Sequence, residues 1–141
     1  MFWTKKNPRT YISAQVRTAL ERTFNEYELE QLAQLGTLVD IAEGDKLTVE
    51  GTTGRQALIV IEGTASVLRG GEPIATVGTG DIVGEVALLS GEPRTATVVA
   101  DTDMTVYAMS AREFASLLSR CPRLANSFTK LALRRLTEAA A

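Results

Sequence analysis

The 141 residues, 45 % hydrophobic and 23 % charged with a formal net charge of −2, suffice for one globular domain and fall short of two. The absence of histidine excludes Ser-His-Asp and Cys-His catalysis and makes the usual His-rich metal site improbable; the single cysteine, Cys121, excludes an internal disulfide and suits a reducing compartment. The longest apolar run, residues 57–61, is far below the roughly 20 residues of a membrane-spanning helix, and residues 1–6 lack the apolar core of a signal peptide, so a cytoplasmic protein is expected.

Residues 11–22 predict an amphipathic helix, with Ile12, Val16, Ala19 and Leu20 at helical spacing. Phe2 and Trp3, in the basic arm before it, read as a disordered start or as a patch that docks on a partner. A second helix follows the N-cap Asn25, carries Leu29, Leu32 and Leu35, and stops at Gly36. From residue 37 to 109 the pattern changes to short β-branched runs between glycine turns: 38–41, 46–49, 58–61, 65–68, 74–77, 95–100 and 104–109. Such spacing predicts an antiparallel sandwich or barrel rather than alternating βαβ units. Helices then return. Ser110 with Glu113 forms a capping box for residues 111–119, and Pro122 opens a last helix to about Glu138. Cys121, between these two helices, reads as a small buried packing residue rather than a reactive thiol.

Charge is divided along the chain: residues 1–22 and 111–141 each sum to +4, and residues 23–110 to −10. The basic ends read as solvated helix surfaces around an acidic body. Neither is a dense stripe with interleaved aromatics, so direct nucleic-acid binding is not expected.

Residues 80–98 break the β pattern from inside, with one predicted helical turn over 85–89 between two strands. A helix start presents unpaired backbone N–H groups and the positive end of the peptide dipoles, and Gly84 lets a ligand approach the backbone closely. Arg94 is the only basic side chain between residues 70 and 111. Its guanidinium can grip a phosphate through two parallel hydrogen bonds, while Glu85 can accept from a sugar hydroxyl. Chemistry alone leaves two readings open: a ligand with one phosphate and one ribose hydroxyl, or a plain Glu85–Arg94 ion pair across the barrel opening. The glycines at 78, 80 and 84 are spaced one residue too widely for a dinucleotide loop, and no βαβ pattern flanks them.

The segment Gly84-Glu85-Val86-Ala87-Leu88-Leu89, the loop Ser90-Gly91-Glu92, and Pro93-Arg94-Thr95-Ala96-Thr97-Val98 closely resemble the phosphate-binding cassette of the cyclic nucleotide-binding domain family. Residues 59–67 resemble the family's strand–glycine–strand hairpin, and Gly80-Asp81 its glycine before the cassette. The resemblance spans residues 24–138. It implies a mainly β fold with flanking helices: a β-roll or jelly-roll double sheet with N-terminal helices, a short cassette helix and two C-terminal helices. The expected division is an N-terminal helical arm over 1–23 and the binding domain over 24–141.

The resemblance also implies site residues. Glu85 would take the ribose 2′-hydroxyl and Arg94 the cyclic phosphate. The backbone of Gly84, Glu85, Val86, Ala87, Thr95 and Ala96 would complete the cradle. The ligand would be cAMP or cGMP, with cAMP favoured. In the family a threonine at the Thr95 position can also reach the guanine amino group, although it occurs in cAMP-binding members too. A lid over the base is expected from the last helix. Its apolar face carries Leu124, Ala125, Phe128, Leu131, Ala132, Leu136 and Ala139, with Arg135 inside the stripe. Arg135 either snorkels to water or reaches the pocket and stacks on the purine beside Phe128 or Leu131.

No cofactor, metal or catalytic residue is implied, and the expected role is regulatory, with occupancy relayed through the C-terminal helix. No helix-turn-helix, kinase, cyclase or channel segment is present in these residues, so the effector is expected in another chain or in the remainder of a longer protein. A homodimer is compatible with this reading. The alternatives are a degenerate member that serves as a protein–protein module without ligand, and a cupin-type enzyme, which the missing histidines disfavour.

Overall fold

The computed structural model describes residues 4–5 and 13–140, with side chains described from 13 to 138. Phe2, Trp3, Tyr11 and Ile12 lie outside the described residues. Helix α1 (Ala14–Glu21) starts where the Ser13 hydroxyl accepts from the Val16 N–H, and it buries Leu20. Helix α2 (Glu26–Leu35) has a full capping box: Asn25 Oδ1 accepts from the Glu28 N–H at 2.8 Å, and Glu28 Oε1 accepts from the Asn25 N–H at 2.9 Å. Gly36 ends α2 as expected, but in extended rather than left-handed backbone. Close packing explains the glycine there, since an added Cβ would lie 3.0 Å from the Leu32 carbonyl and 3.1 Å from Tyr107.

The β body contains β1 (Thr4–Lys5), β2 (Thr37–Ile41), β3 (Lys46–Thr48), β4 (Gln56–Glu62), β5 (Ala65–Arg69), β6 (Glu72–Val77), β7 (Ile82–Val83), β8 (Thr97–Ala100) and β9 (Met104–Ser110). These form a five-stranded sheet, β1-β2-β9-β4-β7, and a four-stranded sheet, β3-β8-β5-β6. Every pairing is antiparallel. This is the double-sheet roll that the sequence predicts. Two strands go beyond it. β7 pairs with Leu58 and Ile59 but is too short to show a period of two, and β1 is a short edge strand. The predicted run 95–100 begins late: Thr95 and Ala96 stay in the loop, and β8 starts at Thr97.

β4 explains its own unbroken apolar run, because both of its faces are buried. Ala57, Ile59 and Ile61 join the core beneath the helices, with Leu20, Phe24, Leu32, Phe114 and Leu117. Leu58 and Val60 point into the roll, with Val83, Val98 and Val106. Helix α3 (Glu85–Ser90) follows β7 directly, one residue longer than predicted. Helix α4 (Ala111–Arg120) has the expected Ser110–Glu113 capping box, and α5 (Pro122–Ala140) opens at the proline. Cys121 sits at the α4–α5 junction, 3 % exposed, and burial pushes its thiol pKa up, away from thiolate chemistry.

Candidate functional site: a charged cavity between the cassette and the last helix

Gly84 starts α3 in the left-handed region at φ +89°. An added Cβ would lie 2.3 Å from Arg94 Nη1 and 2.8 Å from the Gln56 carbonyl, so strain and crowding both require glycine. Arg94 is held from its backbone outward. Its N–H donates to the Thr52 carbonyl at 2.8 Å and its carbonyl accepts from the Gly51 N–H at 2.9 Å. Its two η nitrogens donate to the carbonyls of Gly84 (2.9 Å) and Gln56 (2.8 Å). The guanidinium therefore buttresses the turn into α3. It does not form the Glu85–Arg94 ion pair that was one of the two open readings.

Glu85 is fully buried at 0 % exposure. Its Oε1 accepts from Arg135 Nη1 at 2.5 Å, and the same nitrogen donates to the Ile82 carbonyl at 3.0 Å. Its Oε2 is a buried acceptor with no hydrogen-bond partner. Burial raises the Glu85 pKa above the ordinary carboxylate value, opposed first by the charge of Arg135 and more weakly by Arg94. Burial likewise lowers the Arg94 pKa, against the pull of Glu85.

A cavity of about 500 Å³ opens over these groups. The structure brings all seven predicted ligand-binding residues, Gly84 to Ala87 and Arg94 to Ala96, to its wall. Leu131 and Arg135 line it from α5. Phe128, the third lid candidate, does not. It is 6 % exposed in the core under the helices, its ring stacked on Phe114 with centroids 6.0 Å apart, because it lies nearly two turns before Arg135 where α5 packs on α4. Arg135 does not snorkel to water: it turns inward to Glu85, leaving 29 % of its side chain exposed.

Sequence reasoning missed three participants. Gly54 lies so close that an added Cβ would come within 2.4 Å of the Ala87 Cβ and 2.9 Å of Arg94 Cζ. Gln56 contributes its carbonyl, which no side-chain pattern can announce. Arg69 lines the cavity from β5, and only its place in the inward alternation with Ala65 and Val67 signalled it.

A family model described as "Cyclic nucleotide-binding domain" matches residues 38–121, which include the whole cassette. The chain belongs to the cyclic nucleotide-binding domain family. Domains of this family are regulatory, non-catalytic modules, and the two antiparallel sheets with flanking helices are its β-roll. A cyclic nucleotide-gated potassium channel of Rhizobium etli is 35 % identical over 95 residues, 67 % of this chain and 26 % of the channel. A similar channel of Mesorhizobium japonicum is 40 % identical over 90 residues, 64 % of this chain and 25 % of the channel. The chain thus spans about a quarter of the length of these relatives. The crystal structure of Thermus thermophilus catabolite activator protein superposes with a TM-score of 0.72 at 26 % identity, covering 86 % of this chain and 60 % of that one. Among the described residues of this cyclic nucleotide-binding domain, no helix is long and apolar enough to cross a membrane, and no group of three or more His, Cys, Asp or Glu is placed to hold a metal ion.

Proposed function

We propose that this domain binds cAMP in preference to cGMP in the cassette cavity and relays occupancy through α5. The supporting observation is Glu85 Oε2, a fully buried carboxylate oxygen without a donor, in a residue that borders the same cavity as Arg94. Burying such an acceptor unpaired costs about 1–3 kcal/mol or more, and a ribose 2′-hydroxyl supplies the missing donor. The cyclic phosphate takes the N–H groups that Arg94 does not spend on carbonyls, with the backbone of Gly84, Glu85, Val86, Ala87, Thr95 and Ala96 around it. Leu131 and Arg135 cover the base. The working unit is residues 24–141, with 1–23 as an N-terminal arm.

The relay follows from α5. Arg135 fixes its far end to Glu85, and Arg123 fixes its start to Glu28. A ligand that engages Glu85 changes the balance at one end of a helix anchored at the other, and so biases how α5 packs. The relatives named as nucleotide-gated channels support an effector joined to such a domain, in the same chain or in a partner. A cytoplasmic setting and a homodimer are consistent with this reading.

Titration calorimetry with cAMP and cGMP tests it. Arg94→Ala is expected to weaken binding by about 2–4 kcal/mol, roughly 30- to 1,000-fold, because a charge-assisted contact is lost and the phosphate is left underpaired. Thr95 is compatible with either purine, so the order of the two affinities is a direct output of the titration. No heat from either nucleotide would make the domain a degenerate member that serves protein contacts.

A further inference from the structure

Arg69 ends β5 on the face that Ala65 and Val67 direct into the roll, so strand alternation carries its guanidinium to the mouth of the cassette cavity. There it borders two spaces at once, the cavity itself and a shallower outer recess next to Pro93, and Arg94 and Thr95 border the same two. Its Nε donates to the Thr95 carbonyl at 3.3 Å. Its η nitrogens have no hydrogen-bond or ion-pair partner among the described residues. No ion pair joins it to Glu72, its register partner on β6, and Glu50 Oε1 at the recess accepts from the Gly70 N–H at 3.0 Å. A half-buried guanidinium tethered by one nitrogen, with its terminal nitrogens unspent, is prepared for an anionic acceptor.

Arg94, by contrast, spends an N–H of each η nitrogen on the carbonyls of Gly84 and Gln56. A cyclic phosphate diester presents two exocyclic oxygens that share one negative charge. An arginine already committed to the backbone is badly placed to serve both. We propose that Arg69 is a second phosphate-binding cation, its η nitrogens holding the exocyclic oxygen on the recess side while Arg94 holds the inner one. The proposal rests on the cyclic-nucleotide reading above and adds to it a residue outside the cassette, one that extends the phosphate subsite across the mouth.

The test measures binding of cAMP and of its two phosphorothioate diastereomers, each with sulfur in place of a different exocyclic oxygen. Wild type, Arg69→Ala, Arg69→Lys and Arg94→Lys are compared. Arg69→Ala should bind cAMP about five- to thirtyfold more weakly, and its affinity should fall less steeply with added salt. The penalty for sulfur should shrink in Arg69→Ala for one diastereomer only, and in Arg94→Lys for the other. Arg69→Lys should regain part of the affinity, since it restores the charge without the planar fork. Binding within about twofold of wild type overturns the proposal. So does an equal loss for all three ligands, which would make Arg69 a shaper of the Thr95 loop. Melting curves verify the fold, and Arg69→Gln replaces Arg69→Ala if the alanine variant melts early. A wild-type chain that binds none of the three ligands and no cGMP overturns the cyclic-nucleotide reading itself, and this proposal with it.

Discussion

Helix α5 crosses to a buried glutamate at each end, and the two crossings differ in how completely they are satisfied. Near its start, Arg123 Nε donates to Glu28 Oε2 at 3.0 Å, and Arg123 Nη2 donates to Glu28 Oε1 and to the Thr23 carbonyl. Glu28 Oε1 also accepts from Asn25 in the capping box, so both of its oxygens have donors. Twelve residues on, Arg135 satisfies only one oxygen of Glu85. Both carboxylates are almost inaccessible, at 3 % and 0 % side-chain exposure. A buried ion pair with every acceptor filled is a fastener between α2 and α5. One with an acceptor left over, in a residue bordering the cavity, is the group that the proposed ribose hydroxyl would satisfy.

The largest expected effect falls at the fastener. Glu28→Ala removes the capping box and the partner of Arg123 together, and should cost about 2–4 kcal/mol in denaturant unfolding while nucleotide affinity stays within about twofold. A matching drop in affinity would break the distinction between the two ends.

Glu85→Ala should show the opposite pattern. Affinity for cAMP falls by about 1.5–3 kcal/mol, and a 2′-deoxy analogue loses most of its disadvantage against the variant. Global stability is held or rises, since a costly buried carboxylate is gone. If the analogue carries equal penalties in both proteins, Glu85 has no ribose role.

Arg135→Ala sharpens the comparison through pH. Burial already raises the Glu85 pKa, and Arg135 is the strongest influence pulling it down. Without Arg135 the folded state holds the Glu85 proton to higher pH than the unfolded chain does. Its contribution to stability is then present below the ordinary carboxylate pKa and is lost as pH rises through the raised value. The melting temperature of the variant, relative to wild type, should therefore fall as pH rises above the ordinary carboxylate range. At neutral pH the deficit should be about 1–2 kcal/mol, with a similar loss of affinity for both nucleotides. A deficit independent of pH would assign it to packing of α5 rather than to the carboxylate.

The smallest effect tests base choice. Thr95→Ala should lower cGMP affinity by about 1 kcal/mol, the worth of one neutral hydrogen bond, and leave cAMP nearly unchanged. An equal loss for both nucleotides would make Thr95 a phosphate-loop residue.

Much of this was legible along the chain. The N-cap Asn25 and the Ser110–Glu113 capping box announced two helix starts, because capping is local chemistry closed within four residues. The glycine-punctuated β-branched runs gave an antiparallel sandwich or barrel, the family resemblance narrowed it to the roll, and the cassette pattern gathered seven residues that line one cavity. The fate of the charges was not legible. Arg135 stood out as a cation inside an apolar stripe, yet no helical projection shows that Glu85, fifty residues earlier, lies 2.5 Å away. Phe128 shared that stripe and belongs to the core, since one apolar face serves both α4 and the cavity.

By itself, then, the sequence determined what short-range periodicity and local hydrogen bonding control: where helices and strands begin, which face of each is apolar, and which residues form the cassette. Only the tertiary structure decided which arginine meets which carboxylate, that Arg94 braces two carbonyls, and that Glu85 keeps one oxygen without a donor. The physical reason is range. Dihedral preferences and caps act within a few residues, whereas the pairing of buried charges depends on desolvation and on distances between segments that only the packed fold brings together.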